Sequence, residues 1–208
     1  AALADADAAM LTGNRLSGRL ALRLDGGSSG ESPARLVASL TGAGQASLAD
    51  GRLAALSPFA LPAALQPGRE TEAAADFGKR FVALLVAEDW PLGAASAPLT
   101  LSTGVLRFGG VSSATAGARL AMQGALDLRS LQSDIRALLT PDPPPKQATE
   151  SAAQLTVSWS GPISDPARNL DLSGIGNVFA ARQLKRELER IEAFEADGRE
   201  RAFFARRL

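Results

Sequence analysis

The side chains of this chain that could do acid–base or metal chemistry are its carboxylates. Asp127, Asp134, Asp165 and Asp171 come close enough in sequence to suggest a pair, and the lysines Lys79, Lys146 and Lys185 are scattered. Two facing carboxylates would serve as general acid and base, or would hold a hard cation. Their settings favour ordinary roles: Asp165 precedes a proline, Asp127 falls on the polar face of an alternating segment, and no EF-hand spacing is present. The chain has no His, no Cys and no Tyr. Metal sites built on nitrogen or sulfur need His or Cys, and most nucleophile and base arrangements need His, Cys or Lys. Gly42, Gly44 and Gly51 are followed by neither a lysine nor a helix start that would make a phosphate cradle, so they read as turn glycines. The expectation is a non-enzyme without cofactor or metal site.

Composition narrows the class further. With 22 basic and 22 acidic residues in 208, there is no basic footprint for nucleic acid, and at 5% aromatic residues base-stacking platforms are scarce. The 12 Pro and 20 Gly punctuate element ends and form no low-complexity tract. Absence of Cys leaves the redox compartment open. No stretch approaches the roughly 20 apolar residues of a membrane-spanning helix, and no charged segment leads into an apolar run at the N-terminus. Because the chain begins at Ala1, it is expected to be a piece of something longer, with any anchor upstream.

What fills the chain is Leu, Ala, Gly and Arg in alternation, the pattern of strands with one apolar and one polar face. Leu16, Gly18, Leu20, Leu22 and Leu24 share one face while Arg15, Ser17, Arg19 and Arg23 take the other. A turn is expected at Asp25-Gly26-Gly27, then a short helix capped by Ser32 with Pro33 in its first turn. Asp50-Gly51 reads as a hairpin turn. A helical insert follows over about 57–90, with Phe77, Phe81, Leu84 and Leu85 at helical spacing and its end near Trp90-Pro91. Pro98 to Phe108 is strand-like, and Leu120, Met122, Gly124, Leu126 and Leu128 alternate strictly. The apolar parity then shifts to Leu131 and Ile135, which calls for a bulge or tight turn near Arg129-Ser130. A proline-rich loop is expected over 140–150, then a last strand with Leu155, Val157 and Trp159, and a terminal helix over about 178–208. In that helix Leu184, Leu188 and Ile191 form an apolar stripe expected to pack on the sheet or on a partner, with contact to an anionic membrane surface the alternative. One α+β domain over 1–208 results, mainly β with helices.

Four segments carry a resemblance to a known family. They are the strand, short helix and glycine-punctuated passage from Leu20 to Leu56; the segment Leu99 to Leu128 ending Gly-Ala-Leu-Asp-Leu; the run Thr156 to Gly174 with Gly-Pro-Ile-Ser-Asp-Pro; and the Arg/Glu-rich terminal helix. Together they resemble the C-terminal region of the AsmA-like family of bacterial envelope proteins. The resemblance implies a β-rich, curved antiparallel sheet or open groove on the periplasmic side of a Gram-negative inner membrane, in a parent protein anchored by an N-terminal helix that is not part of this chain. It also implies a part in outer-membrane integrity and phospholipid conduction along an apolar groove.

Two functional expectations follow. In the first, Leu20, Leu22, Leu24, Leu120, Met122, Leu126, Leu128, Leu155 and Val157 face lipid, and the module holds or guides phospholipid acyl chains; a trough for such chains needs no specific polar ligand. In the second, the same residues are the inner face of a closed core, and the module is a scaffold for other envelope proteins. The proline-rich loop carries its own expectation. Polar neighbours Asp142, Lys146, Gln147 and Glu150 leave it nothing to anchor it to a core, so limited proteolysis should cut near Lys146 before it cuts in the β-rich halves. Protection there equal to that of the strands would mean a packed loop.

Overall fold

A computed structural model describes residues 2–66, 68–69, 74–142 and 153–205. These form an antiparallel sheet of nine strands, each paired with its neighbours in sequence: β1 (Ala2–Asp7), β2 (Leu16–Gly27), β3 (Thr41–Leu53), β4 (Trp90–Ser102), β5 (Val105–Thr115), β6 (Gly117–Asp127), β7 (Gln132–Asp142), β8 (Leu155–Pro162) and β9 (Ala167–Asp171). The helices are α1 (Ala8–Thr12), α2 (Pro33–Ala38), α3 (Ala60–Ala64), α4 (Ala74–Val86) and α5 (Ser173–Ala205). The α+β class and the antiparallel, open sheet are as expected, with β1 and β9 as its outer edges.

Register aligns the apolar alternation of successive strands into rows on one face. One row runs Leu99, Phe108, Gly124, Ile135, Trp159 from β4 to β8, and the next runs Leu101, Leu106, Leu126, Ser133, Gly161. At the far end Ser113, Leu120, Leu139 and Leu155 make a third. That end is capped by helices. Leu120, Leu139 and Leu155 are wholly buried with Leu61 of α3, Phe81 and Leu85 of α4, and Ile175 at the start of α5. Trp90 closes this core, its indole Nε1 donating to Ser113 Oγ at 3.2 Å. Each such leucine contributes roughly 1.5–3 kcal/mol by leaving water.

The sheet curls until its two ends approach each other. On the inward side of β2 and β3, a Cβ on Gly44 would collide with the Arg23 carbonyl oxygen, and one on Gly42 with that of Asp25. Only glycine permits this close approach. Across the curl, Gly13 sits against Ser164, the Arg15 Nη2 reaches Asp165 at 3.1 Å, and Arg168 donates to the Ala55 carbonyl at 2.9 Å. No ladder joins β1 to β9 among the described residues, so these contacts bridge a sheet that stays open in topology.

Several local expectations change. Ser32 caps α2 as expected, accepting from the Arg35 amide at 3.3 Å. Gly26-Gly27 is no turn: β2 continues through it, paired to Thr41 and Gly42. Asp50-Gly51 makes no hairpin; Asp50 takes φ 55° at a bulge inside β3, and the chain runs on to Leu53. The helical insert ends as expected where Trp90-Pro91 opens β4, its last helix stopping at Val86. The segment Pro98 to Phe108 is two strands joined at Thr103-Gly104, both at positive φ, as a two-residue hairpin of the primed type requires. A tight turn follows Asp127, as the parity shift demands, with Leu131 at φ 56°. Of the proline-rich loop, Thr140, Pro141 and Asp142 belong to β7, paired with Arg119, Ala118 and Gly117; the remainder lies outside the described residues.

The terminal helix departs most. It begins at Ser173, and its first turns dock: Ile175 and Val178 are buried, Phe179 meets the Phe77 ring edge-on at 5.0 Å, and Arg182 donates to the Leu65 carbonyl at 2.8 Å. Beyond Arg182 every residue through Arg199 is exposed, and the stripe expected to pack, Leu184, Leu188 and Ile191, is 62, 51 and 52% exposed. Truncation separates the two parts. Ending the chain after Arg182 should leave the thermal midpoint unchanged. Ending it after Asn177 removes the Val178, Phe179 and Arg182 contacts and should lower the midpoint by roughly 5–15 °C. Equal midpoints for the two truncations would refute this division.

Candidate functional site

The helical cap covers only part of the inward face, and the uncovered rows wall an apolar trough. It has a volume of about 310 Å³ and takes its wall from every strand from β2 to β8. Leu20 and Leu22 of β2, Leu48 of β3, Leu99 of β4, Phe108 of β5, Met122 and Leu126 of β6, Ile135 of β7 and Trp159 of β8 supply most of the surface. Gly124 explains part of its shape. A Cβ there would lie 2.8 Å from Phe108 Cε1 and 2.9 Å from Ile135 Cγ1, so the missing side chain lets these two neighbours close over β6 and continue the apolar surface.

Polar groups in the wall are few and mostly engaged. Ser133 Oγ donates to the Gly161 carbonyl at 3.0 Å, and Thr12 Oγ donates to the Ala8 carbonyl at 2.9 Å while accepting from the Leu16 amide at 3.0 Å. Satisfied in this way, they add little polarity to the trough. Arg15 brings the one formal charge among the described wall residues, at the corner where β2 begins.

The expected lipid-facing residues divide. Leu20, Leu22, Met122 and Leu126 line the trough. Leu24 shares its inward face, aligned with Leu99 across Gly44, without forming part of the wall. Leu120, Leu155 and Val157 point the same way but are wholly buried under the helices, so for them the closed-core reading is the correct one. Leu128 lies past the end of β6, its amide donating to the Gly104 carbonyl at 2.9 Å, and belongs to a turn. Leu48, Leu99, Phe108, Ile135 and Trp159 went unassigned to the site. Each sits on an apolar alternating face, the signal that could have found them.

The carboxylates do not assemble. Asp127 accepts from Arg129 Nη2 at 2.7 Å and Nε at 3.0 Å and from the Arg129 amide at 2.9 Å, and the guanidinium foremost holds its carboxyl far below the usual range. It braces the β6–β7 turn. Asp171 accepts from the Ser173 amide at 2.9 Å at the start of α5, and bonding to Ser173 lowers its pKa too. Asp134 pairs with Arg136 at 3.7 Å and Asp165 with Arg15 at 3.1 Å. Among the described residues no group of three His, Cys, Asp or Glu could hold a metal, and no helix is long and apolar enough to cross a membrane.

Comparison with protein-family models, curated proteins and solved structures gives no match to this chain.

The division of the inward face into core and trough is open to a paired test. Leu120→Asp buries an unpaired charge beneath the helices and should unfold the domain, at several kcal/mol. Met122→Asp, two residues along the same strand but beside the trough, should keep a cooperative unfolding transition. Circular dichroism melts check both; unfolding by Met122→Asp equal to that by Leu120→Asp would mean the trough is part of a sealed core.

Proposed function

We propose that this chain is a non-enzymatic module of the Gram-negative cell envelope that holds or guides phospholipid acyl chains. In this reading it works at the periplasmic face of the inner membrane, in a parent protein anchored there, and contributes to outer-membrane biogenesis and lipid homeostasis. The observation that carries the reading is the trough of about 310 Å³, continuous over seven strands and walled by aliphatic and aromatic carbon. Its volume is at the lower end of ligand pockets, roughly 300–1,000 Å³. That suits one apolar chain better than a whole bilayer lipid. Burial gains about 0.8 kcal/mol per methylene, so a chain of about ten would gain on the order of 8 kcal/mol before the cost of immobilisation. Compartment and parent rest on the resemblance to the AsmA-like family in the strand, turn and terminal-helix motifs.

A second reading has its own observation. From Gln183 to Arg199 the terminal helix is exposed all round, with Phe194 79% exposed beside Leu184, Leu188 and Ile191. An apolar stripe on a projecting helix suits a protein-interaction scaffold.

Native mass spectrometry with solvent extraction of the purified chain decides between them. The lipid reading expects co-purifying phospholipid near one per chain, lost in Met122→Asp. Repeated lipid-free preparations that also take up none from phospholipid vesicles would favour the scaffold.

A further inference from the structure

We propose that the corner of the trough at Arg15 binds the phosphate of an amphiphile whose alkyl chain lies in the trough, an inference that rests on the acyl-chain reading above. Arg15 is part of the trough wall and lies where the curl of the sheet is bridged. A second arginine is fixed beside it: the Arg15 carbonyl accepts from the Ala54 amide at 2.8 Å, and Arg168 Nη1 donates to the Ala55 carbonyl at 2.9 Å. The Arg15 backbone and the Arg168 guanidinium thus both bond to the Ala54-Ala55 turn. Arg168 is the cross-strand partner of Trp159 in the trough wall, and burial first, then the charge of Arg15, lower its pKa.

The carboxylates nearby leave this pair available. Asp89 accepts from the Ala55 amide at 2.9 Å. Asp165 meets Arg15 at 3.1 Å, but its side chain is 88% exposed against 38% for Arg15, and an ion pair so open to water is weak. Asp165 reaches Arg15 through Nη2 alone, whereas a phosphate can take the guanidinium fork through two oxygens. The apolar wall begins at the same corner with Leu11 and Leu16 and ends in no other charge among the described residues. An amphiphile therefore has one orientation that satisfies both its ends.

Titration of the full chain with dodecyl phosphate, neutral monolauroylglycerol and inorganic phosphate tests the assignment, read as the ratio of the affinities for the two amphiphiles. The wild-type chain is expected to prefer dodecyl phosphate by on the order of fivefold, the upper range for a partly exposed charge pair. Arg15→Gln should bring that ratio to about one, and Arg15→Lys, which keeps the charge, should retain part of it. Asp165→Asn releases Arg15 and should raise the ratio. If Arg15 serves only to bridge the sheet, Asp165→Asn will instead lower or leave the ratio in parallel with Arg15→Gln, and the proposal fails. Equal wild-type affinity for both amphiphiles would overturn the phosphate site while leaving the acyl-chain reading standing; binding of neither would end both. Inorganic phosphate binding as tightly as dodecyl phosphate would mark a free-anion site and overturn the link to the trough.

Discussion

An antiparallel sheet nine strands wide that puts its apolar residues on one face must keep that face from water, and every larger feature of this fold answers that need. Curling brings the inward rows toward each other, which is why glycine stands at Gly42 and Gly44, where a side chain would strike the backbone of β2. Helices α3 and α4, with the first turns of α5, cover the rows that contain Leu120, Leu139 and Leu155. They reach no further. The rows of Phe108, Ile135 and Leu126 therefore keep partial access to solvent and become the trough.

Polar interactions contribute little to this arrangement beyond setting its ends. The ion pairs Arg19–Asp50, Arg119–Asp142 and Arg136–Asp134 lie on the outward face in water, where such pairs are worth about 0–1 kcal/mol. Asp127 and Arg129 act locally, fixing the turn from which β7 starts in the right register. A slip of one residue there would turn Ile135 outward. Stability thus resides in the capped rows, and any ligand chemistry in the uncapped ones, so the two can change independently along a single strand, as Leu120 and Met122 show.

The sequence was a good guide to faces and a poor one to depth. Alternation placed Leu20, Leu22, Met122 and Leu126 on the inward side, and Ser32-Pro33 marked the start of α2, because both signals are local. Whether an inward leucine is core or trough depends on which row the helices overlie, a long-range fact that Leu155 and Val157 do not disclose. Asp50-Gly51 misled because positive φ serves a bulge as well as a hairpin. Strands β1 and β9 escaped notice since they are short and poor in large apolar residues. The stripe of Leu184, Leu188 and Ile191 has the spacing of a docked helix, but past Arg182 the helix runs clear of the sheet and the stripe stays exposed.

The claim that an alkyl chain enters the trough has a built-in reporter. The chain has two tryptophans: Trp90 is wholly buried in the capped core, and Trp159 lines the trough. In a Trp90→Phe chain, fluorescence of Trp159 can be titrated with a fatty acid brominated along its chain, whose bromine quenches on contact. Saturable quenching, reversed by the unbrominated acid, is the predicted result. Unquenched Trp159 emission in a chain that remains folded would contradict the account.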